Sequence, residues 1–285
     1  MRIWHFIALV LLSSVTFAQA PTEERTAYVS VVDSKDATAA GLGPSDFIVR
    51  EDDIAREVLR VSTAKEPAHV ALLIDTSQAI DEQVNDIRLA LRDFVKQMGG
   101  RHEIALIGLG ERPTVLVDYT RDAARLEKGI GTVFARSGSG MYIMEAIVEE
   151  AERLERRKAA RAHMVVYAAR GPEFSERYSQ SVLDVLRESG ATLHALPLNR
   201  PGGAAGSREE QELQLTLANG TKMTGGRRED LLTSMALSGR LQSLGHEIDN
   251  QYQVVYARPR KLIPPKSLEI TVKKPGLTVR ARRWP

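Results

Sequence analysis

Hydrophobic positions fall along this chain in two rhythms. Residues 26–32 (TAYVSVV) alternate apolar and polar side chains, the period of two that predicts a half-buried strand. Residues 45–50 repeat it briefly, and 57–63 repeat it again after a turn predicted at Asp52-Asp53. At His69 the rhythm changes. Residues 69–75 (HVALLID) are almost continuously apolar, the mark of a strand covered on both faces of a parallel sheet. Val84, Ile87, Leu91 and Val95 then recur every three or four residues, which predicts a helix from Asp81 that Gly99-Gly100 stops.

The alternation continues, with strands predicted at 102–109, 114–119, 163–168 and 192–198. Helices are predicted from Asp122 towards Val133, over 142–158 and over 178–188. A loop rich in Gly and Arg, 199–208, precedes further helix up to Glu247. Residues 252–257, 267–273 and 277–282 return to β, separated by Pro264-Pro265 and Pro275-Gly276. Strands alternating with helices of this length predict an α/β fold, a doubly wound and mostly parallel sheet covered on both faces. The two β parts lie at opposite ends of the chain, each too small to bury a face alone. They are expected to pair into one small β-sandwich, from 21–66 and 248–285, with the α/β domain, 67–247, inserted between them.

Residues 1–20 stand apart. Arg2, an apolar run over 6–17 and Ala18-Gln19-Ala20 predict a signal peptide cleaved after Ala20, and hence export to the periplasm or beyond. The run is shorter than the roughly 20 residues of a membrane span, and no second stretch is apolar enough for a transmembrane segment. With no cysteine, disulfides and thiolate metal sites are excluded. A net charge of +2 gives no support for nucleic-acid binding.

Candidate chemistry is sparse. No His-x-x-x-His spacing or Gly-x-Ser-x-Gly elbow is present, and Gly108-Leu109-Gly110 lacks the third glycine of a dinucleotide loop. His69, His102 and His163 start predicted strands and His194 lies within one, so structural roles are expected. The helical run 149–158 (EEAERLERRK) reads as a solvated face with Glu149–Arg153 and Glu152–Arg156 pairs. Lys273, Lys274, Arg280, Arg282 and Arg283 read as an exposed basic face near the C-terminus.

The segment Val70-Ala71-Leu72-Leu73-Ile74-Asp75-Thr76-Ser77 resembles the first strand and loop of a von Willebrand factor A-type (vWA) domain. The resemblance extends over Leu42 with Ser45-Asp46-Phe47 and Glu51-Asp52, then Leu217-Ala218 with Thr224-Gly225-Gly226, then Gln251-Tyr252 with Tyr256, and the closing Thr278-Val279-Arg280-Ala281-Arg282. In that order these resemble a family of exported vWA-related proteins common in Acidobacteria. Such domains hold a metal at Asp-x-Ser-x-Ser, a Thr on a second loop and an Asp on a third. Here Asp75 and Ser77 match, but Ala79, Met141 and Arg170 stand at the other three places. The resemblance therefore implies a dismantled metal site and no cofactor, with Mg²⁺ returning only if Ser139 in the Ser137-Gly138-Ser139-Gly140 turn restores a hydroxyl. The Arg170 guanidinium is expected to replace the ion by pairing with Asp75.

The implied function is a non-enzymatic protein-binding, adhesion or scaffolding module of the cell envelope. Its partner surface is expected on the loop edge carrying Ser77, Gln78, Ser139, Tyr142 and Arg170. The alternatives are an accessory subunit contacting an envelope complex through the sandwich, and an exported hydrolase with an unrecognised site.

Overall fold

The computed structural model describes residues 22–198, 206–260 and 263–284, so the predicted export signal and residues 199–205 lie outside the described residues. Four strands come first: β1 (Thr22–Val32), β2 (Phe47–Glu51), β3 (Ile54–Arg56) and β4 (Val58–Thr63). Asp52 and Asp53 form the predicted turn, both with positive φ, a conformation that Asp tolerates better than most residues.

The α/β part follows. Its strands are β5 (His69–Ile74), β6 (Glu103–Gly108), β7 (Thr114–Thr120), β8 (Ala162–Ala168) and β9 (Thr192–Pro197), in the order β7-β6-β5-β8-β9. All neighbours are parallel except β6 and β7. The helices are α1 (Val84–Met98), α2 (Ala123–Ile130), α3 (Ile143–Arg156), α4 (Ser179–Ser189), α5 (Arg208–Thr224) and α6 (Leu237–Asp249). The unbroken apolar run of β5 now has its reason. Val70, Leu72 and Ile74 pack under α1, α2 and α6, while Ala71 and Leu73 pack under α3, α4 and α5. Burying a side chain of that size contributes about 1.5–3 kcal/mol, so both layers are held by the same strand.

The chain closes with β10 (Tyr252–Pro259), β11 (Leu268–Val272) and β12 (Thr278–Arg280). These pair with the opening strands into sheets β12-β1-β10-β4 and β11-β2-β3. Val29, Val31, Phe47, Val49, Val254 and Ile270 fill the space between them, with Phe47 edge-on to Tyr252 at 5.6 Å. The two ends of the chain thus build one small sandwich.

Several charged groups that sequence places on the surface are internal. Arg280 pairs with Asp36 and with the buried Glu247, joining β12 to α6. Arg153 turns from Glu149 to Asp118 and to Glu150, which is buried rather than solvated; Arg156 does meet Glu152, at 3.6 Å. The buried histidines are structural. His102 accepts the Ala68 N–H and faces Asp249 at 2.7 Å. His163 and His194 stack in the interior, with Nδ1 and Nε2 3.2 Å apart.

Candidate functional site

The loops that follow β5, β6 and β8 converge at the C-terminal edge of the sheet. Asp75 is the first residue beyond β5 and is completely buried. Its Oδ1 accepts the Ser77 N–H at 2.7 Å and its Oδ2 accepts the Ala169 N–H at 3.0 Å. These bonds stabilise the carboxylate, yet burial outweighs them and pushes the Asp75 carboxyl above its usual range.

The Ser77 side chain stays against Asp75, whereas the other residues at this edge turn away from it. Ser77 is also fully buried, and its Oγ accepts the Ala79 N–H at 3.3 Å. It shapes the loop and cannot touch a partner, which corrects its expected place on the contact surface. Met141 is 3% exposed, and its main chain is bonded on both sides to the loop after β8, through Pro172 O and the Phe174 N–H. Ser139 spends its hydroxyl hydrogen on Arg136 O at 2.9 Å. Gln78 is exposed and fixes the same turn by accepting the Gly138 N–H. Tyr142 is half-buried, edge-on to Phe174 at 6.1 Å.

The Arg170–Asp75 pair does not form. Arg170 is exposed, and its guanidinium reaches over the next loop to Leu232 O at 3.5 Å. Burying a guanidinium costs several kcal/mol unless its partner repays it, and both Asp75 oxygens are already taken by main-chain donors. The main chain itself closes the space. A Cβ on Gly171 would lie 3.0 Å from Ala79 Cβ, 3.1 Å from Ser77 Oγ and 3.8 Å from Met141 Cγ. Mg²⁺ or Ca²⁺ requires six or more oxygens in a regular shell. One carboxylate and one hydroxyl, both already hydrogen-bonded and packed beneath Gly171 and Met141, do not fit that demand. Among the described residues, no group of three or more His, Cys, Asp or Glu could hold a metal ion.

Two features here escaped the sequence. Glu173, buried, accepts the N–H groups of Ile143 and Ser175 and so caps α3 from a separate loop. No local pattern announces a cap 30 residues away. Burial pushes its carboxyl up to about 7. The second is apolar. Of ten large hydrophobic side chains exposed in the described residues, five ride on this edge: Phe134, Phe174, Tyr178, Leu232 and Met235. Phe134 lies two residues before Arg136, which bridges to Ser77. Phe174 and Tyr178 follow β8, Leu232 carries the carbonyl under Arg170, and Met235 adjoins Ser234, whose hydroxyl bonds Asp86 near the start of α1. Leu232 and Met235 are the most exposed of the five, at 72% and 77%. The signal available in sequence was apolar residues inside loops, which periodicity does not register.

Comparison with known proteins agrees with the fold. Residues 70–169 match the family model of the von Willebrand factor type A domain. A structure described as von Willebrand factor type A from Catenulispora acidiphila superposes with a TM-score of 0.52 at 12% identity, over 96% of this chain and 76% of that one. Proximal thread matrix protein 1 from the mussel byssus, with a zinc-occupied MIDAS motif, gives 0.51 at 14% identity, over 70% of this chain and 50% of that one. BatB from Bacteroides thetaiotaomicron gives 0.47 at 14%, over 63% and 98%. No curated protein matches the sequence. With the strand order, the Asp75 loop and this match in agreement, the chain carries a von Willebrand factor type A domain.

Proposed function

We propose that the protein is an exported, non-enzymatic module that binds a protein partner through the loop edge of its vWA domain without a metal ion. The exposed apolar set at that edge carries the reading. Large apolar side chains gathered in solvent mark an interaction site, and here five of them lie on the loops around Asp75. Phe174, Leu232 and Met235 supply anchors whose burial drives association, while Arg136 and Arg170 at the rim orient an incoming partner. The closed cradle around Asp75 supports a role in shaping the loops. Export rests on residues 1–20, and the absence of a helix long and apolar enough to cross a membrane among the described residues is compatible with it.

Leu232→Ser combined with Met235→Ser is expected to weaken partner retention by roughly 100-fold, from about 1.5 kcal/mol lost per anchor. The measurement is capture from envelope extracts by the immobilised protein, with and without EDTA. Ile54→Ser, on exposed β3 of the sandwich, is expected to leave capture unchanged, as is EDTA. Capture lost with Ile54→Ser and retained by the double variant would overturn the reading in favour of contact through the sandwich.

A further inference from the structure

At the edge of the sheet opposite the loop site, a cavity of about 350 Å³ lies between the sandwich and the α/β domain. Three arginines line it, Arg25, Arg161 and Arg282, together with Tyr28 and Trp284, and no carboxylate does. Arg25 is answered by Glu23 at 2.6 Å. The other two are not answered by an acid. Arg161, 3% exposed, donates to Glu66 O, Ile248 O and the Gln251 side chain, all of them neutral acceptors. Glu66 and Asp249 act on it only through space. Arg282 is half-buried and spends one N–H on Gly190 O at 3.1 Å; among the described residues its charge has no carboxylate in ion-pair range. Burial pushes both guanidiniums below their ordinary range. Internal cations are ordinarily matched by an anion, and two unmatched ones on the wall of one cavity indicate that the anion comes from outside.

A second observation concerns the mouth of the cavity. From Thr22 to Val29, β1 pairs with β10 on one side, whereas β12 takes up its other side only from Ser30 to Val32. Among the described residues, the main chain from Thr22 to Tyr28 has no hydrogen bond on that second side. Arg25, Thr26, Ala27 and Tyr28 on this open edge line the cavity. An exposed strand edge accepts an extended chain as an added strand.

We infer that this junction is a second binding site, taking an organic carboxylate with an apolar body, anchored on the Arg282 guanidinium. The volume falls in the range of about 300–1,000 Å³ found for small-ligand sites, which favour such domain junctions. Arg282 offers the planar fork that grips a carboxylate through two N–H groups, and Trp284 and Tyr28 supply the apolar walls. The open β1 edge makes the C-terminal residues of an extended polypeptide the source that the site fits best, laid along β1 with the terminal carboxylate on Arg282. A free aromatic acid has the same chemistry.

The test is calorimetric titration of the protein with an N-acetylated Thr-Val-Thr-Val-Phe peptide, its C-terminal amide, 3-phenylpropionate and 3-phenylpropionamide. Each acid is expected to bind at least tenfold more tightly than its amide. Arg282→Met is expected to abolish that preference, whereas Leu232→Ser with Met235→Ser at the loop edge leaves it intact. The peptide acid is expected to exceed phenylpropionate tenfold through the main-chain bonds of β1. Equal affinity of acid and amide in the natural protein, or no heat with any of the four probes, overturns the site. An acid preference surviving in Arg282→Met overturns the anchor. Phenylpropionate binding as tightly as the peptide overturns the polypeptide as its source.

Discussion

Gly226→Ala is expected to destabilise the fold severely at 25 °C. A Cβ at this position would lie 1.8 Å from the carbonyl oxygen of Leu193 and 2.7 Å from its carbonyl carbon. Both atoms belong to β9, so no side-chain rotation relieves the overlap. Shifting β9 would break the bonds that join it to the following segment, Arg227 N–H to His194 Nδ1, Ala195 N–H to Arg227 O and Glu229 N–H to Ala195 O. The expected cost exceeds about 4 kcal/mol, a large share of a total stability of about 5–15 kcal/mol. Gly225 is constrained for a different reason. It ends α5 with φ +73°, in the left-handed region, and donates to Thr221 O. Gly239, exposed in α6, has nothing within 4 Å of its Cβ position, so Gly239→Ala is expected to stabilise by about 0.5–1 kcal/mol. Thermal and denaturant unfolding measure both variants. Gly226→Ala folding within 1 kcal/mol of the natural protein would mean that β9 and the Gly225-Gly226 turn do not approach as described.

The second large effect is acid sensitivity set by the stacked histidines. Burial holds both imidazoles neutral, reinforced at His163 by His194 and Arg161 and at His194 by Arg280 and Arg227. The His194 pKa is depressed to about 3 and that of His163 lies well below its ordinary value. In the unfolded chain each takes a proton near pH 6.5. Their contribution is therefore complete above pH 6.5 and is lost as pH falls from there towards the folded values. Between pH 7 and 5 the loss at His194 is about 2 kcal/mol, and His163 contributes in the same direction. Glu173 acts in the opposite sense. Its folded pKa of about 7 is raised above the ordinary value, so its contribution is full in acid and lost as pH rises through 7. His194→Gln is expected to remove about 2 kcal/mol of the fall between pH 7 and 5, and Glu173→Gln to make that fall steeper. Urea unfolding across this range measures both, and an unchanged slope in His194→Gln would refute the assignment.

Most of the architecture was legible because burial on two faces leaves a plain trace. The runs at 69–75 and 163–168 contain too few polar residues to meet water on either side, and helical spacing between strands places a layer above and below. The antiparallel β7 was less visible, although the five residues between β6 and β7 are too few for a crossover helix. The site was legible only in part. Asp75 and the substitutions at Ala79, Met141 and Arg170 stand out from the residues alone, but where Arg170 goes depends on the burial of Asp75 and on its bonds to the N–H groups of Ser77 and Ala169. Sequence gives identities, not the hydrogen bonds already spent. The same limit hid Glu173, and the exposed Leu232 and Met235 were hidden because loop residues carry no periodic pattern.

The central claim is that the loop edge of this vWA domain works with its metal cradle closed. Calorimetric titration with Mn²⁺, alone and in the presence of captured partner, tests it most directly. No saturable heat at millimolar ion, and the same in Asp75→Ala, is the result predicted here. Micromolar binding that disappears in Asp75→Ala would contradict it.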